Sequence, residues 1–272
     1  DRSPSRGLGD VYKRQPLNRG NSASLFMGWE EQLSFVRDAL GPKLKETGLK
    51  TKIYAFDHNY NYDNMLEQQG YPMKIYEDEN AASFLTGAAY HNYGGDREEL
   101  NNVNGKFPDK ELIFTETSIG MWNDGRNLEK RLMEDMEETA LGTVNNWCKA
   151  VIVWNLMLDN ERGPNREGGC QTCYGAVDID RSDYKTITRN SHYYIIGHLS
   201  SVVKPGAVRI GSKGYTADGI MYSAFENLDG TEALVLLNNT DGTKNITVNS
   251  GERSFTYEVP AKAVASFRWN LY

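Results

Sequence analysis

Cysteine is scarce in this chain, with three in 272 residues: Cys148, Cys170 and Cys173. An odd number of thiols cannot pair fully within one chain. The Cys170-Gln-Thr-Cys173 spacing could suit a metal, a redox pair or a tight disulfide, but a zinc site needs a second pair of ligands that the sequence does not offer. We therefore expect no metal and no organic cofactor, and either a disulfide or two loop thiols at this motif.

Long hydrophobic runs and an excess of basic residues are also missing. No apolar stretch approaches the roughly 20 residues that a membrane span needs. With 37 acidic against 30 basic residues, the net charge is -7, which argues against a nucleic-acid partner. This charge is compatible with a neutral, polyhydroxylated ligand.

The first fifteen residues lack the hydrophobic periodicity of the rest of the chain. They are basic and contain Gly, Ser and Pro, so we interpret residues 1–15 as a disordered or non-native leader. No signal peptide is visible. A disulfide at Cys170 and Cys173 would suit an oxidising compartment, and we expect the full-length parent to be secreted or periplasmic.

Between this leader and residue 204, strands alternate with helices. Apolar spacing predicts helices over 24–47, 127–147 and 191–203. For the first of these we expect a cap at Ser22 or Ser24, a break or kink at Pro42 and an end at Gly48. Short apolar runs predict strands over 52–56, 87–90, 112–114 and 150–154, each leading into polar residues. Strands alternating with helices are typical of a parallel α/β fold, and four such units are half of an eightfold barrel.

After Lys204-Pro205-Gly206 the pattern changes to short alternating segments separated by Asn, Asp and Gly turns. This pattern predicts antiparallel hairpins and a small β-sandwich over 205–272. The predicted strands are 207–210, 220–225, 233–237, 245–248, 255–259 and 263–269.

The strand at 112–114 delivers Glu116 into a polar turn, where α/β sheets collect ligands. A single strand-end glutamate is more often an ion-pair or capping residue than a catalyst. The other strand exits supply His58, His91, Tyr93 and Trp154, which suit a sugar site, although His91 and Trp154 could equally be core residues. For Asp57 and Asp159 we expect capping or pairing.

Six stretches resemble glycoside hydrolase family 30, the glucosylceramidase and endo-β-1,6-glucanase group of retaining β-glycosidases. The resemblance implies the C-terminal part of a (β/α)8 barrel over 16–204, from after strand 4 to strand 8 and its helix, followed by the β-sandwich. The stretches are PLNRGNSASLFMGWEEQ (16–32), KIYAFDHN (52–59), AAYHNY (88–93), LIFTETSIG (112–120), VWNLMLDNERGPN (153–165) and HYYIIGHLS (192–200).

By this resemblance Glu116 is the nucleophile, Trp154 is a sugar platform and Asn165 faces the aglycone. His91 and Tyr93 line the glycone pocket, with His58 at the neighbouring strand exit. One departure matters: the family's acid/base glutamate precedes a proline, and here Gln15 precedes Pro16. A glutamine cannot donate a proton to a leaving oxygen, so we expect a truncated sequence and an inactive fragment.

Three functions are compatible with these residues. The first is a retaining β-glycosidase parent acting on a β-glucoside or β-glucan such as glucosylceramide or β-1,6-glucan. The second is a non-catalytic carbohydrate-binding module that keeps the aromatic platform and the sandwich. The third is a purely structural or interaction role. Sugar binding without hydrolysis favours the second function, and absence of sugar affinity favours the third.

Overall fold

Helices and strands follow one another largely in the order that the sequence predicts. A computed structural model describes residues 26–60, 65–165, 169–211 and 217–270. The predicted leader with Gln15, and the predicted helix caps Ser22 and Ser24, lie outside the described residues. No helix in the described ranges is long and apolar enough to cross a membrane.

The helical segments include two long helices that are each interrupted by one π-helical turn. The α-helices are α1 (Trp29–Phe35), α2 (Gly41–Thr47), α3 (Tyr71–Tyr76), α4 (Glu79–Phe84), α5 (Glu98–Lys106), α6 (Leu128–Asp135), α7 (Leu141–Asn145) and α8 (Ser191–Val202). The π-helical turns are Val36–Leu40 and Met136–Ala140, and 3-10 turns form at Leu66–Gln68 and Met121–Asn123.

The first long helix runs continuously from Trp29 to Thr47 through its π-helical turn. Pro42 lies in the first turn of α2, directly after the π-helical turn Val36–Leu40. The break predicted at Pro42 is wrong, because the helix continues through a widened π-helical turn directly before this residue. Gly48 ends the helix in the left-handed conformation, with φ of 67°, as the sequence pattern predicts.

The strands are longer in the parallel sheet and the sandwich than in the segment between them. They are β1 (Tyr54–Asn59), β2 (Gly87–His91), β3 (Glu111–Glu116), β4 (Ile119–Gly120), β5 (Cys148–Val151), β6 (Met157–Asp159), β7 (Cys173–Tyr174), β8 (Val177–Ile179), β9 (Ile187–Arg189), β10 (Val208–Ile210), β11 (Ile220–Glu226), β12 (Thr231–Asn238), β13 (Lys244–Ser250), β14 (Arg253–Val259) and β15 (Ala263–Asn270).

The chain divides into two compact units. The first comprises the described residues up to Thr117 together with Asn146–Ile152 and Asn165–Cys170. Its centre is a parallel sheet in the order β1-β2-β3-β5. Apolar side chains of these strands, among them Tyr90 and Phe114, are fully buried in a core shared with α3 and α5. Burial of these side chains keeps the strands in register.

The second unit comprises Ser118–Asn145, Val153–Pro164 and the described residues from Gln171 onward. Its antiparallel sheet has the order β10-β11-β12-β15. One face of that sheet packs against α6 and α8 in a core that includes Met133, Ile195 and Val235. The hairpin of β13 and β14 forms a separate two-stranded sheet. A cavity of about 660 Å³ is lined by both sheets, including Tyr222, Leu236 and Ile246.

The structure corrects the sequence prediction at two strands. The strand predicted over 150–154 ends at Val151, so Trp154 lies beyond it and forms an isolated parallel bridge with Ser118. The strand predicted over 52–56 extends to Asn59, because His58 and Asn59 pair with Tyr90 and His91 of β2.

Candidate functional site

The carboxyl ends of three neighbouring strands place the predicted polar residues at one edge of the parallel sheet. In the register of β1 and β2, Asn59 lies opposite His91, and in that of β2 and β3, His91 lies opposite Glu116. Parallel strands with buried apolar centres leave polar residues only where they end. The edge therefore gathers His58, His91 and Glu116, which come from three separate segments of the sequence.

Glu116 and Tyr93 meet directly at this edge. The Tyr93 hydroxyl donates to Glu116 Oε1 over 3.2 Å, and its ring stands edge-on to His91, with ring centroids 6.1 Å apart. Tyr93 is half-exposed, at 49%, and Glu116 is partly buried. A hydroxyl that donates to one carboxylate oxygen orients the carboxylate while solvent still reaches the site.

His91 also contacts Asp57. His91 Nε2 lies 3.1 Å from Asp57 Oδ1, and Thr115 Oγ1 donates to the same Asp57 oxygen over 2.6 Å. Because an ionised carboxylate only accepts hydrogen bonds, Nε2 is the protonated ring nitrogen in this arrangement. The imidazole is 2% exposed, so its orientation is fixed by packing as well as by this pair.

A bulge in β1 positions Asp57. Phe56 and Asp57 both have positive φ, 77° and 55°, and the pairing with β2 shifts register between Phe56 and His58. Such bulges redirect side chains beside functional sites. As expected from the sequence, Asp57 pairs with neighbouring groups.

His58 is a buried ring within an aromatic group. It is 8% exposed and stands edge-on to Phe56 and to His91, at centroid distances of 5.9 Å and 6.4 Å. His58 thus packs behind His91 as part of the wall of the site.

Trp154 belongs to the second unit and is partly buried there. Besides its bridge to Ser118, its segment is held by the Ala176 N–H, which donates to the Asn155 carbonyl over 2.8 Å. Asp159 caps the following turn by accepting from the Gly163 N–H over 2.6 Å, in agreement with the capping role expected for it. Asn165 is exposed and belongs to the first unit.

The structure thus brings His58, His91, Tyr93 and Glu116 of the prediction together. Sequence reasoning did not single out Thr115, whose hydroxyl joins the Asp57 and His91 pair. Thr115 directly precedes Glu116 in the sequence, but its partner Asp57 lies on β1, which is separated from β3 by β2. No local sequence pattern therefore indicates this contact.

Of the alternatives considered for the Cys170-Gln-Thr-Cys173 motif, the structure shows the disulfide. Cys170 and Cys173 are disulfide-bonded, and Cys148 is a buried free thiol. In the part of the chain that the structure describes, no group of three or more His, Cys, Asp or Glu side chains could hold a metal ion.

Comparison with known families covers almost the whole chain. Residues 5–203 match the glycosyl hydrolase family 30 TIM-barrel domain, and residues 206–267 match the glycosyl hydrolase family 30 beta sandwich domain. The predicted resemblance and the predicted fold class, a partial barrel followed by a sandwich, are confirmed by these matches. In the described residues the parallel sheet has four strands and does not close.

Individual relatives agree with the family match. Endo-1,6-beta-D-glucanase BGN16.3 of Trichoderma harzianum is 29% identical over 94% of this chain and 50% of its own length. The lysosomal acid glucosylceramidase of Mus musculus is 22% identical over 91% of this chain and 50% of its own length. The solved structure of the endo-β1,6-glucanase BT3312 is 71% identical with a TM-score of 0.92, covering 95% of this chain and 57% of that one. The chain spans about half the length of the curated relatives it matches.

Proposed function

Because this chain belongs to glycosyl hydrolase family 30, we propose that the whole protein hydrolyses β-glucosidic linkages, with a β-1,6-linked glucan as substrate. The substrate is supported by the 71% identity to an endo-β1,6-glucanase and by the likeness to the Trichoderma enzyme. The glucosylceramidase relative, at 22% identity, supports glucosylceramide less. The observation that carries the chemistry is the contact of Tyr93 with Glu116 at the end of β3.

In this proposal Glu116 is the nucleophile of a retaining mechanism. Its carboxylate attacks the anomeric carbon, the bond to the leaving oxygen breaks, and a covalent glycosyl-enzyme forms. Water then replaces the carboxylate and restores Glu116, with the configuration retained. The Tyr93 hydroxyl orients the attacking carboxylate by donating to its Oε1 atom.

The other side chains that the family resemblance indicates are proposed to hold the sugar. His91 hydrogen-bonds a hydroxyl of the bound glucose unit, and Asp57 fixes the orientation of the imidazole. His58 supports that ring from behind. Trp154 stacks on a pyranose face, whose C–H groups are apolar, and Asn165 contacts the aglycone.

A retaining glycosidase needs a second carboxyl about 5 Å from the nucleophile to protonate the leaving oxygen. The position expected for that acid is Gln15, which lies outside the described residues and has no proton of suitable acidity. We therefore propose that this chain by itself does not turn over unactivated glucosides. The disulfide of Cys170 and Cys173 supports the proposal that the whole protein works in an oxidising compartment.

A trapping experiment tests Glu116 without the acid. A 2-deoxy-2-fluoro β-glucoside with a dinitrophenolate leaving group needs no protonation, so the chain should form a covalent adduct that mass spectrometry locates on Glu116. Glu116→Gln should give no adduct. Glu111→Gln, at the other end of the same strand, is the matched control and should label like the unchanged chain.

An adduct on another residue, or labelling that persists in Glu116→Gln, would overturn the proposed nucleophile. Ordinary turnover of an unactivated aryl β-glucoside would contradict the inactive chain. Binding of a β-1,6-glucan with no adduct would favour the non-catalytic carbohydrate-binding module instead.

A further inference from the structure

The turn that follows β4 carries two large apolar side chains that are exposed to solvent. Met121 and Trp122 are 56% and 54% exposed, and they are adjacent in the 3-10 turn Met121–Asn123. Single exposed apolar side chains are ordinary, but an exposed pair that includes tryptophan often marks a binding surface.

The turn beneath this pair is fixed by hydrogen bonds. The Gly120 N–H donates to Asn123 Oδ1 over 2.9 Å, and Asn123 Nδ2 donates to the Ser118 carbonyl over 3.3 Å. The Met121 N–H donates to the Thr172 carbonyl over 3.0 Å. The turn is therefore ordered before any ligand arrives, which lowers the entropy that binding would cost.

The indole ring of Trp122 also packs against the backbone of this turn. A Cβ atom added at Gly120 would lie 2.0 Å from Cζ3 of the Trp122 ring, so the ring packs directly on the glycine backbone. With one side of the ring seated there and half of the residue exposed, the ring presents a flat apolar surface to solvent. Any side chain at position 120 would displace it.

The same turn is tied to the segment of Trp154. Ser118, whose carbonyl accepts from Asn123, forms the parallel bridge with Trp154. Within the second unit, two tryptophans thus lie on segments that are joined at Ser118. Trp122 also lies on the loop that follows β3 in the sequence, and loops after the carboxyl ends of parallel strands commonly carry ligand contacts.

We propose that Trp122, supported by Met121, is a second sugar-stacking platform, which takes a glucose unit of the β-linked glucan different from the unit at Trp154. This inference rests on the proposed function and extends it to a longer substrate. Two side chains are too small for a stable protein interface, which needs about 800 Å² from each partner. One indole face matches one pyranose ring. Asp124 at its border, which pairs with Lys130 at the surface, supplies a polar group for sugar hydroxyls.

Oligosaccharide length separates the two platforms. Binding of a β-1,6-linked disaccharide and of a longer β-1,6-glucan oligosaccharide is measured by calorimetry on the full chain. Trp122→Ala and Trp122→Leu should weaken binding of the longer sugar about five- to thirtyfold and leave the disaccharide unchanged, whereas Trp122→Phe should keep most of the affinity. Trp147→Ala is the matched control, because Trp147 is 48% exposed in the first unit.

A measurement on the unchanged chain avoids any folding defect of the variants. The longer oligosaccharide should protect Trp122 from oxidation by N-bromosuccinimide, read by mass spectrometry of its peptide, and the disaccharide should not. If Trp122 stays fully reactive under saturating oligosaccharide, the platform is wrong.

The remaining outcomes distinguish failure of the Trp122 platform from failure of the proposed glycosidase function. Unchanged binding in Trp122→Ala, with loss of binding in Trp154→Ala, overturns the second platform and leaves the proposed function standing. Equal weakening for both sugar lengths also overturns it, because Trp122 would then act on the same unit as Trp154. If the chain binds neither sugar, the platform is rejected, while labelling of Glu116 still decides the nucleophile separately.

Discussion

The hydroxyl of Thr115 holds the carboxylate that contacts His91 at the edge of the parallel sheet. Its Oγ1 donates to Asp57 Oδ1, which also faces His91 Nε2. Thr115→Val keeps the shape of the side chain and removes this donor. We expect a loss of about 1–3 kcal/mol in the free energy of unfolding, because hydrogen bonds to charged groups are worth about that much. Urea denaturation measures it.

A matched substitution lies on the exposed face of the sandwich hairpin. Thr256 shares a hydrogen bond with Thr247 in the open, so Thr256→Val should change the free energy of unfolding by less than about 0.5 kcal/mol. Equal effects of the two substitutions would show that the Thr115 to Asp57 contact contributes nothing beyond a surface hydrogen bond.

Asp135 and His192 form a buried pair with opposite pH dependences. Burial lowers the pKa of His192 to about 3, and burial raises the pKa of Asp135 to about 6 against the opposing charge of Arg131. The two side chains lie 3.8 Å apart, and neither ring nitrogen of His192 has a hydrogen-bond partner in the described residues.

The direction of each pH dependence follows from the number of protons that the residue binds in the folded and unfolded states. His192 binds fewer protons in the folded state, so its contribution to stability is complete above pH 6.5 and is lost as the pH falls toward 3. Asp135 binds more protons in the folded state, so its contribution grows as the pH falls from 6 toward 3.8. The two slopes oppose each other between those values.

His192→Leu removes one slope. We expect this variant to become more stable at pH 4, relative to pH 7, by about 1–3 kcal/mol compared with the unchanged chain. Asp135→Asn should show the reverse, a steeper loss in acid. Urea denaturation at both pH values measures the difference, and parallel profiles for all three proteins would contradict the assignment.

Strand β3 has a glutamate at each end, and the two have different roles. Glu111 begins the strand and binds three side chains of the neighbouring segments: Tyr54, Lys52 and Lys149. Partial burial opposes ionisation, but these hydrogen bonds hold the pKa of Glu111 down at about 2. Glu111 therefore stabilises the amino end of the sheet, and Glu116 is left for the site at the other end.

Glu111→Gln tests this division. A lowered pKa means that the stabilisation is present above pH 4.5 and is lost as the pH falls toward 2. We expect the variant to be less stable by about 1–2 kcal/mol at pH 7, after allowance for solvent screening, and the difference to shrink at pH 3. Glu77→Gln, at an exposed pair with Lys106, should leave unfolding unchanged. A difference that persists undiminished in acid would refute the charge-based explanation.

The connection after β2 contains a close backbone approach. Gly95 has φ of 78°, and a Cβ added there would lie 1.5 Å from the Tyr60 carbonyl oxygen. Gly95→Ala should destabilise the chain by about 2 kcal/mol or more, through both strain and collision, and should disturb the neighbouring Tyr93. Thermal unfolding and binding of the β-1,6-linked disaccharide measure these effects.

Gly105 provides the comparison. It lies within α5 at an exposed position with open space around its Cα, so Gly105→Ala should stabilise by about 0.5–1 kcal/mol. If Gly95→Ala were equally harmless, the close approach at Tyr60 would not constrain the loop.

The reactivity of the three cysteines depends on whether the chain is folded. Cys148 is 5% exposed, and burial raises the pKa of its thiol, so little reactive thiolate is present. Ellman's reagent should detect no thiol in the native chain, one per chain in denaturant and three after reduction. A second thiol without reductant would contradict the Cys170 and Cys173 disulfide.

Hydrophobic periodicity was sufficient for the larger elements. The strands from β1 to β3 and the five longer strands of the sandwich, β11 to β15, follow from it, because runs of five to eight residues leave a clear pattern. The helix ending at Gly48 was predictable for the same reason. Likewise, Glu116, His91 and Tyr93 could be predicted as neighbours because each follows the apolar part of a parallel strand.

Other features could not be derived from a local pattern. The strands β4, β6, β7, β8 and β9 have two or three residues each, too few to show a period, and they exist through pairing with distant segments. Trp154 extends an apolar run that ends as a strand at Val151, because its own backbone pairs with Ser118 instead. Thr115 belongs to the site through a hydrogen bond across strands, which no single segment encodes.

The pairing of His91 with Glu116 means that the register of β2 and β3 sets the distances between side chains at the edge of the sheet. A slip of one residue between β2 and β3 would move the Tyr93 loop by about 3.3 Å along the strand, as far as the whole separation of its hydroxyl from Glu116. A substitution in the interior of a strand that changes the register can therefore separate Tyr93 from Glu116, although it contacts neither residue. The buried interior alanines of β2, Ala88 and Ala89, therefore contribute to the alignment of this edge as well as to packing.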